Sequence, residues 1–469
     1  MTYWDETRPP EDGTGDETVE PAAGTAGRAA GAPGPDGEAV PREDALRTEA
    51  TPNDAGDAPA RMMYRLRLKP GRERSLLLRH PWVFSGAIAE VEELPGAQPG
   101  DLGDVVDSRG TFLARGTVQP ESQIVLRVLA FEPRPIDLAF FEERIGAAAE
   151  ARRTLVDPAA TTAWREVNSE GDLLPGLVVD RYGTALVTQT LTSGMLRLRP
   201  LWVEALRRAL PCTAILERGE RARRERIEEQ GRPGSPLWGE APAGPIEILE
   251  HGLRFVVDLE GGQKTGFYLD QRENRAQVRA HARDAEVLNL FGYTGAFSVH
   301  AGAGGARRVV QVETSAPARE LTRLHWERNG LPADALELSA EDAFRFLRHD
   351  ARHHDRLILD PPPFAKDRGS LERATRAYKD LHLWGFCRVR PGALVWTFSC
   401  SQQMTADLFQ KVVFGAARDV DADVQILGRL GAAPDHPVHL DHPQGEYLKG
   451  LWLRVRRPGT PPAPGRSGG

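Results

Sequence analysis

From residue 252 onward, short apolar, β-branched runs alternate with longer stretches of helical spacing. EVLNLF (286–291), RRVVQVE (307–313), DRLILD (355–360) and ALVWTFS (393–399) read as strands. Helical patterns lie between them, near 295–303, 315–329, 343–352 and 371–390. Parallel strands need a long crossover between them, and an amphipathic helix supplies it. The alternation therefore predicts an α/β domain over 252–457, with helices on both faces of a parallel sheet. Ligands in such folds bind outside the carboxyl ends of the strands, so candidate site residues are those that follow each run.

The first run ends in Asn289-Leu-Phe-Gly-Tyr-Thr-Gly-Ala-Phe297. Gly292 and Gly295 let the backbone come close to a ligand. The motif is not GxGxxG and carries no phosphate-binding lysine. Glu313 closes the second run, 21 residues after Gly292, where a carboxylate accepts hydrogen bonds from both hydroxyls of a nucleoside ribose. Asp342 in AEDAF follows the third strand and is placed to face an adenine amino group. The fourth strand ends in Leu359-Asp-Pro-Pro-Pro-Phe364. Prolines fix the backbone and remove N–H donors, so Pro361 and Pro362 make a rigid turn that would pin a planar base against Phe364, with Asp360 buried before it. Acidic residues in register at successive strand ends mark a nucleoside cofactor site.

The remainder of the chain divides by composition. Residues 1–60 hold 14 Asp and Glu against 4 Lys and Arg, with almost no large apolar side chain between Trp4 and Leu46. Such a segment cannot bury enough surface to offset its ordering entropy and reads as a disordered acidic tail. It lacks the basic-then-apolar pattern of a signal peptide. The formal charge of −7 belongs to this tail, because the other residues carry a net +3. Basic residues are nearly all Arg, with 6 Lys in the whole chain. An Arg-rich body tolerates a polyanionic partner. Residues 62–133 contain short alternating runs broken by Pro-Gly and Arg-Gly turns and read as a small β-barrel with Trp82 and Phe84 in its core. Residues 135–250 form a central α+β domain. In it IDLAFFEERIGAAAEARRTL (136–155) and MLRLRPLWVEALRRAL (195–210) are helical, ERARRERIEEQGRPGSP (220–236) is a charged helix and loop, and Asp180-Arg-Tyr-Gly183 turns a hairpin. Residues 458–469 form a second disordered tail.

Several classes are excluded at this stage. No run approaches the ~20 apolar residues of a membrane span, and a cytoplasmic protein is expected. Cys212, Cys387 and Cys400 are far apart and form no CxxC pair, so neither a disulfide framework nor a metal site is expected. Any important cysteine acts alone.

NLFGYTG, Glu313, LDPPPF and TFSCS (397–401), in this order, resemble class I methyltransferases. Within them they are most similar to the bacterial 23S rRNA (cytosine-C5) methyltransferase I family. RHPWVFSGAI (79–88) resembles the opening of PUA-type RNA-binding domains, and NSEGDLLPGLVVDRYG, KTGFYLDQRENR (264–275) and HPVHLDHPQGEYLKG (436–450) fit the same family. The resemblance covers about 62–457. It implies a PUA-like β-barrel, a central domain and a Rossmann-like methyltransferase domain, with S-adenosylmethionine as cofactor and RNA, 23S rRNA in particular, as partner. Carried over residue by residue, it implies that Tyr268 and Gln271 flank the cofactor. The segment Asn289, Phe291, Gly292, Tyr293, Thr294 and Gly295 would meet its methionine part, Glu313 its ribose and Asp342 its adenine. Asp360 would lie beside the sulfonium, which its charge favours, and the target base.

Cytosine C5 is a poor nucleophile, and attack of a thiolate on C6 turns the ring into an enamine able to take a methyl group. That chemistry needs a cysteine at the mouth of the cofactor site, and Cys400 at the end of its strand is the candidate. Cys212 and Cys387 read as core residues. The proton on C5 must then be removed. The family's usual glutamate is replaced here by Gln444, which leaves Glu446, His436 and His442 as alternatives. Methylation of guanine N7 or an exocyclic amine would need no thiolate. A third reading is an rRNA-binding assembly factor that keeps the cofactor pocket without catalysis. A PUA-like barrel favours structured RNA over DNA. The sequence leaves monomer and homodimer both open.

Overall fold

The computed structural model describes residues 60–218, 235–259, 266–364 and 368–461. The acidic segment before residue 60, most of the charged run 220–236, and residues 462–469 lie outside the described residues.

The N-terminal unit comprises β1 (Met62–Leu68), α1 (Arg74–Leu77), β2 (Trp82–Phe84), β3 (Ile88–Glu93), β4 (Leu102–Val106), β5 (Phe112–Val118) and β6 (Ile124–Ala130). Its sheet runs β2-β6-β5-β4-β1-β3, with β1 and β4 parallel and the other ladders antiparallel. Tyr64, Leu66, Leu68, Val105 and Val128 fill the core. The two aromatic residues expected there are not in it. Side chains alternate along a strand, so in β2 it is Val83 that points inward and is buried, whereas Trp82 is half-buried and Phe84 is 46% exposed.

The central unit contains α2 (Leu138–Leu155), β7 (Ala163–Asn168), β8 (Leu177–Tyr182), β9 (Ala185–Thr190), α3 (Ser193–Arg197), α4 (Arg199–Ala209), β10 (Ala214–Glu217) and β11 (Ser235–Gly239). Asp137 caps α2 by accepting from the Phe140 amide. The helix expected over 195–210 is two helices, because Pro200 has no N–H to donate inside one and instead sits in the first turn of α4. The hairpin tightens later than expected. Asp180 and Arg181 stay in β8, where Arg165 pairs with Asp180 at 2.8 Å, and Gly183, at φ +60°, makes the turn. The hairpin of β12 (Ile246–Glu250) and β13 (Leu253–Val257) spans the expected junction at 250–252. One apolar cluster runs from Ala185 and Leu216 through Phe255 to Val287 and Phe398.

The C-terminal unit alternates helix and strand as far as β19: α5 (Arg272–Ala280), β14 (Glu286–Leu290), α6 (Ala296–Ala303), β15 (Arg308–Val312), α7 (Ala316–Arg328), β16 (Leu336–Ser339), α8 (Ala343–His349), β17 (His354–Leu359), α9 (Leu371–Cys387), β18 (Val389–Ser399), α10 (Ala406–Asp419), β19 (Asp423–Leu430) and then β20 (Lys449–Arg457). Its seven-stranded sheet has the order β16-β15-β14-β17-β18-β20-β19. β14 to β18 are mutually parallel, and β20 runs antiparallel to both β18 and β19. The order reverses at β14, which puts a crevice beside the carboxyl ends of β14 and β17. Among the described residues no helix is long and apolar enough to cross a membrane.

Candidate active site

The turn after β14 is built around buried polar groups. Asn289, itself buried, donates from Nδ2 to the Ser298 hydroxyl at 2.9 Å. That hydroxyl donates to Gln311 Oε1 at 2.6 Å, and Gln311 Nε2 donates to the Tyr293 carbonyl at 3.0 Å. Asn289 thus holds the turn from beneath. Gly292 is required by the same network, since a Cβ there would come within 2.3 Å of the Gln311 side chain. Gly295 meets two demands: its φ is +81°, and a Cβ would lie 2.4 Å from Thr322 Cγ2. Phe291 and Tyr293 also take positive φ, +59° and +46°. Bulky residues rarely do so, and such strain concentrates where a loop must present its backbone to a ligand. Thr294 is buried beside them, and its carbonyl lies 2.8 Å from His325 Nδ1.

Glu313 follows β15 and is half-buried. Its Oε2 accepts from the Tyr293 amide at 2.9 Å and its Oε1 from the Ser315 amide at 2.8 Å. A carboxylate offers about four acceptor sites, so capacity for two ribose hydroxyls remains. Asp342 is exposed and caps α8, accepting from the amides of Phe344 and Arg345. Its charge is therefore already set against a helix N-terminus.

Asp360 follows β17 and is half-buried rather than buried. Gln271 reaches it from the turn before α5, donating from Nε2 to Asp360 Oδ2 at 3.1 Å. Asn274 donates to Gln271 Oε1 at 2.6 Å, which fixes the amide orientation. Tyr268 stands edge-on to Tyr293 with ring centroids 5.3 Å apart. Burial pushes its phenol pKa up, and the neighbouring Tyr293, Asp360, Asp270 and Cys400 add to the rise. Pro361 is buried and Pro362 exposed. Phe364 is committed to an aromatic cluster, with its ring centroid 4.8 Å from Tyr378 and about 6 Å from Phe291 and Phe344. These residues fit a nucleoside cofactor: a strained turn that presents backbone, a carboxylate with free acceptor sites, and an acid held by an oriented amide.

Cys400 follows β18, which lies next to β17 in the sheet, and is half-buried. Tyr378 of α9 lies close by. Burial pushes its phenol up to about 12, opposed by the Ser399 and Ser401 hydroxyls and reinforced by Cys400 and Asp360. Cys387 is buried at the end of α9, and burial raises its thiol to about 11. Cys212 is half-buried in the central unit.

The alternatives for proton removal are scattered. Gln444 and Glu446 are exposed, on and just after the 3-10 turn Pro443–Gly445. His436 is buried against Asp435, with Nδ1 at 3.2 Å from Oδ1. His442 is buried against the Trp82 ring at 4.4 Å, which is where the aromatic side of β2 goes. The segment 431–448 lines an open pocket of about 490 Å³, with residues that include His436, His439, Glu446 and Tyr447. Sequence reasoning passed over Asp270, Tyr378, Asp435 and Lys449. Lys449 alone had a visible signal, as one of 6 lysines in a chain that otherwise uses Arg. Among the described residues no group of His, Cys, Asp and Glu could hold a metal ion.

Comparison with known proteins agrees with this architecture. A model of the PUA-like domain matches residues 66–131, and a model of the S-adenosylmethionine-dependent methyltransferases matches residues 185–437. The ribosomal RNA large subunit methyltransferase I of Cronobacter sakazakii is 42% identical over 398 residues, 84% of this chain and 100% of its own. The protein of the same name from Salmonella arizonae is 42% identical over 395 residues, 83% of this chain and 97% of its own. Among solved structures, a proposed SAM-dependent methyltransferase from Streptococcus mutans superposes with a TM-score of 0.71 at 23% identity, over 83% of this chain and all of its own. A proposed methyltransferase solved in complex with SAH gives 0.72 over the same shares, also at 23% identity. S-adenosylmethionine is therefore the cofactor, and the chain belongs to the ribosomal RNA large subunit methyltransferase I family of S-adenosylmethionine-dependent methyltransferases.

Proposed function

We propose that this protein forms 5-methylcytosine in 23S ribosomal RNA through a covalent adduct at Cys400. The observation that carries the reading is the pairing of β17 with β18, which sets Cys400 and Asp360 at adjacent strand ends beside Tyr268. The turn 289–295, Glu313 and the Gln271–Asp360 pair would hold the cofactor, which supplies an electrophilic methyl group when bound. The Cys400 thiolate attacks C6 of the cytosine, forming the Sγ–C6 bond and making C5 nucleophilic. After C5 is methylated, its proton leaves to a base, the C5–C6 double bond re-forms and the Sγ–C6 bond breaks. Gln271 orients Asp360 towards the reacting centre, and Tyr268 and Tyr378 wall the thiol from bulk water. The reading includes a cytoplasmic site of action, where ribosomal RNA is found, and recognition of RNA by the PUA-like unit, with the target base unstacked for access.

The test is mass mapping of 23S rRNA from a strain lacking the gene, complemented with wild type or with Cys400→Ala. One 5-methylcytosine should be absent in the deletion, restored by wild type and still absent with Cys400→Ala, whose affinity for S-adenosylhomocysteine should be unchanged. Restoration of that methylation by Cys400→Ala would refute the covalent route, and loss of a different modified nucleotide would refute cytosine as the target.

A further inference from the structure

Lys449 opens β20 and is 6% exposed. Its backbone lies opposite Ser399 in the β18–β20 ladder, and its Nζ donates to the Ser401 carbonyl at 2.8 Å. The side chain therefore spans both flanks of Cys400. Among the described residues no carboxylate forms an ion pair with this ammonium. A buried cation without a carboxylate partner is costly, and it persists where another charge compensates it. Burial pushes the Lys449 pKa down, and two groups oppose that, Cys400 first and the more exposed Glu446 second. Among the described residues, Tyr268, before α5, and Tyr378, on α9, also face Cys400, with Asp360 facing both phenols. Both phenols are pushed upward and stay neutral at neutral pH, so Lys449 is a cation facing this thiol among the described residues.

We infer that Lys449 is a positioning residue that holds Cys400 as its thiolate by an electrostatic contact across the β18–β20 ladder. A lysine suits the place better than the arginine used nearly everywhere else in the chain, because its compact charge fits between a strand and the turn after its neighbour. The inference rests on the reading of Cys400 as nucleophile for its functional meaning, but not for its test.

The rate of iodoacetamide alkylation at Cys400, followed by peptide mass spectrometry on the full-length protein, reports thiolate population as a function of pH. An opposite charge at close range moves an acid by about one to three pH units. Lys449→Met is therefore expected to lower the rate at neutral pH about tenfold or more and to move the profile upward, with alkylation of Cys212 unchanged. Lys449→Gln, which keeps a donor for the Ser401 carbonyl, should behave like Lys449→Met, while Lys449→Arg should retain most of the wild-type profile. Binding of S-adenosylhomocysteine confirms folding of each variant. If either neutral variant folds and keeps the wild-type profile, the inference is overturned. If neither neutral variant folds, Lys449→Arg decides: a profile displaced upward like that of an uncharged site overturns it. A parallel trap with RNA carrying 5-fluorocytosine separates the two claims. A shifted alkylation profile with no RNA adduct on wild type would leave the thiolate contact standing and refute the nucleophile. An adduct with an unshifted profile would do the reverse.

Discussion

Replacing Asp435 by Asn should loosen the hold of the rest of the protein on the 431–448 segment. Asp435 is fully buried. Its two oxygens accept from Arg272 Nη1 and Nη2, both at 3.0 Å, and Oδ2 also accepts from the Arg165 amide at 2.8 Å. Its carbonyl accepts from Arg152 Nη2 at 2.8 Å. One residue thus joins α2, β7 and α5 to the segment that leads into β20. Asparagine keeps the shape but turns an –NH2 group towards the guanidinium and leaves Arg272, 1% exposed, without its main counter-charge. Breaking a buried pair from one side costs about 3–5 kcal/mol. Arg272 Nε retains Glu273 at 2.9 Å, so the lower end, about 3 kcal/mol, applies here. At about 2–4 °C per kcal/mol for a domain of this size, the melting temperature should fall by about 6–12 °C. The apolar pair Arg272→Met with Asp435→Leu should recover a substantial part of that loss, because the uncompensated charge goes with it. The linkage has a definite sign. Burial alone would raise the Asp435 carboxyl, but His436 and Arg272 overcome it and hold the group well below the usual carboxylate range. Its contribution is therefore complete above the unfolded value near ~4 and is lost as pH falls further, through the folded value. A melting temperature for Asp435→Asn within about 2 °C of wild type, below the shift expected from even 1 kcal/mol, would refute the reasoning.

Three further outcomes follow from separate features. Gly295→Ala places a Cβ against Thr322 at a positive φ and should weaken S-adenosylhomocysteine binding by about 1–3 kcal/mol, measured by calorimetry; unchanged affinity would show that the turn is not strained against the ligand. His382 is fully buried, and burial depresses its pKa to about 4 against the pull of the Tyr378 carbonyl. The unfolded chain then binds the extra proton first, so stability should decline as pH falls from the unfolded value near ~6.5 towards 4, and His382→Gln should flatten that part of a denaturation series. Trp82→Ala removes the ring packed on His442 and the 2.9 Å bond from Nε1 to Glu170; limited proteolysis should then cut between the PUA-like unit and the rest sooner than in wild type, and an unaltered pattern would mean that the contact does not hold the units together.

The parallel half of the sheet was legible because each strand is a short apolar run and each candidate site residue comes next in sequence. Glu313, Asp360 and Cys400 could be placed by counting from strand ends. What escaped was set by side-chain direction and by pairing across long separations. The outward turn of Trp82 and Phe84 depends on which face of β2 meets the core, and both are aromatic enough to suit one. Gly292 looked like a ligand-facing glycine, yet its constraint comes from Gln311, buried on the next strand. Lys449 and Asp435 could not be assigned from local pattern, because their partners are 48 residues away at Ser401 and 163 residues away at Arg272.

The two sides of the candidate site have different structural origins. The cofactor side is assembled from consecutive parallel strands, and its key residues hold one another: Glu313 fixes the Tyr293 amide, and Gln271 fixes Asp360. The side facing the thiol comes from β20, which enters the sheet antiparallel after the 431–448 segment. That segment is tied to the central unit through Asp435 and to β2 through His442. Tyr447, in the same segment, donates to Asp270 Oδ2 at 2.6 Å, in the turn that also carries Tyr268 and Gln271. The PUA-like unit is therefore connected to the Cys400 surroundings through His442 and the segment that leads to Lys449, while the turn 289–295 is anchored separately, by Gln311 and Thr322 within its own sheet and helix.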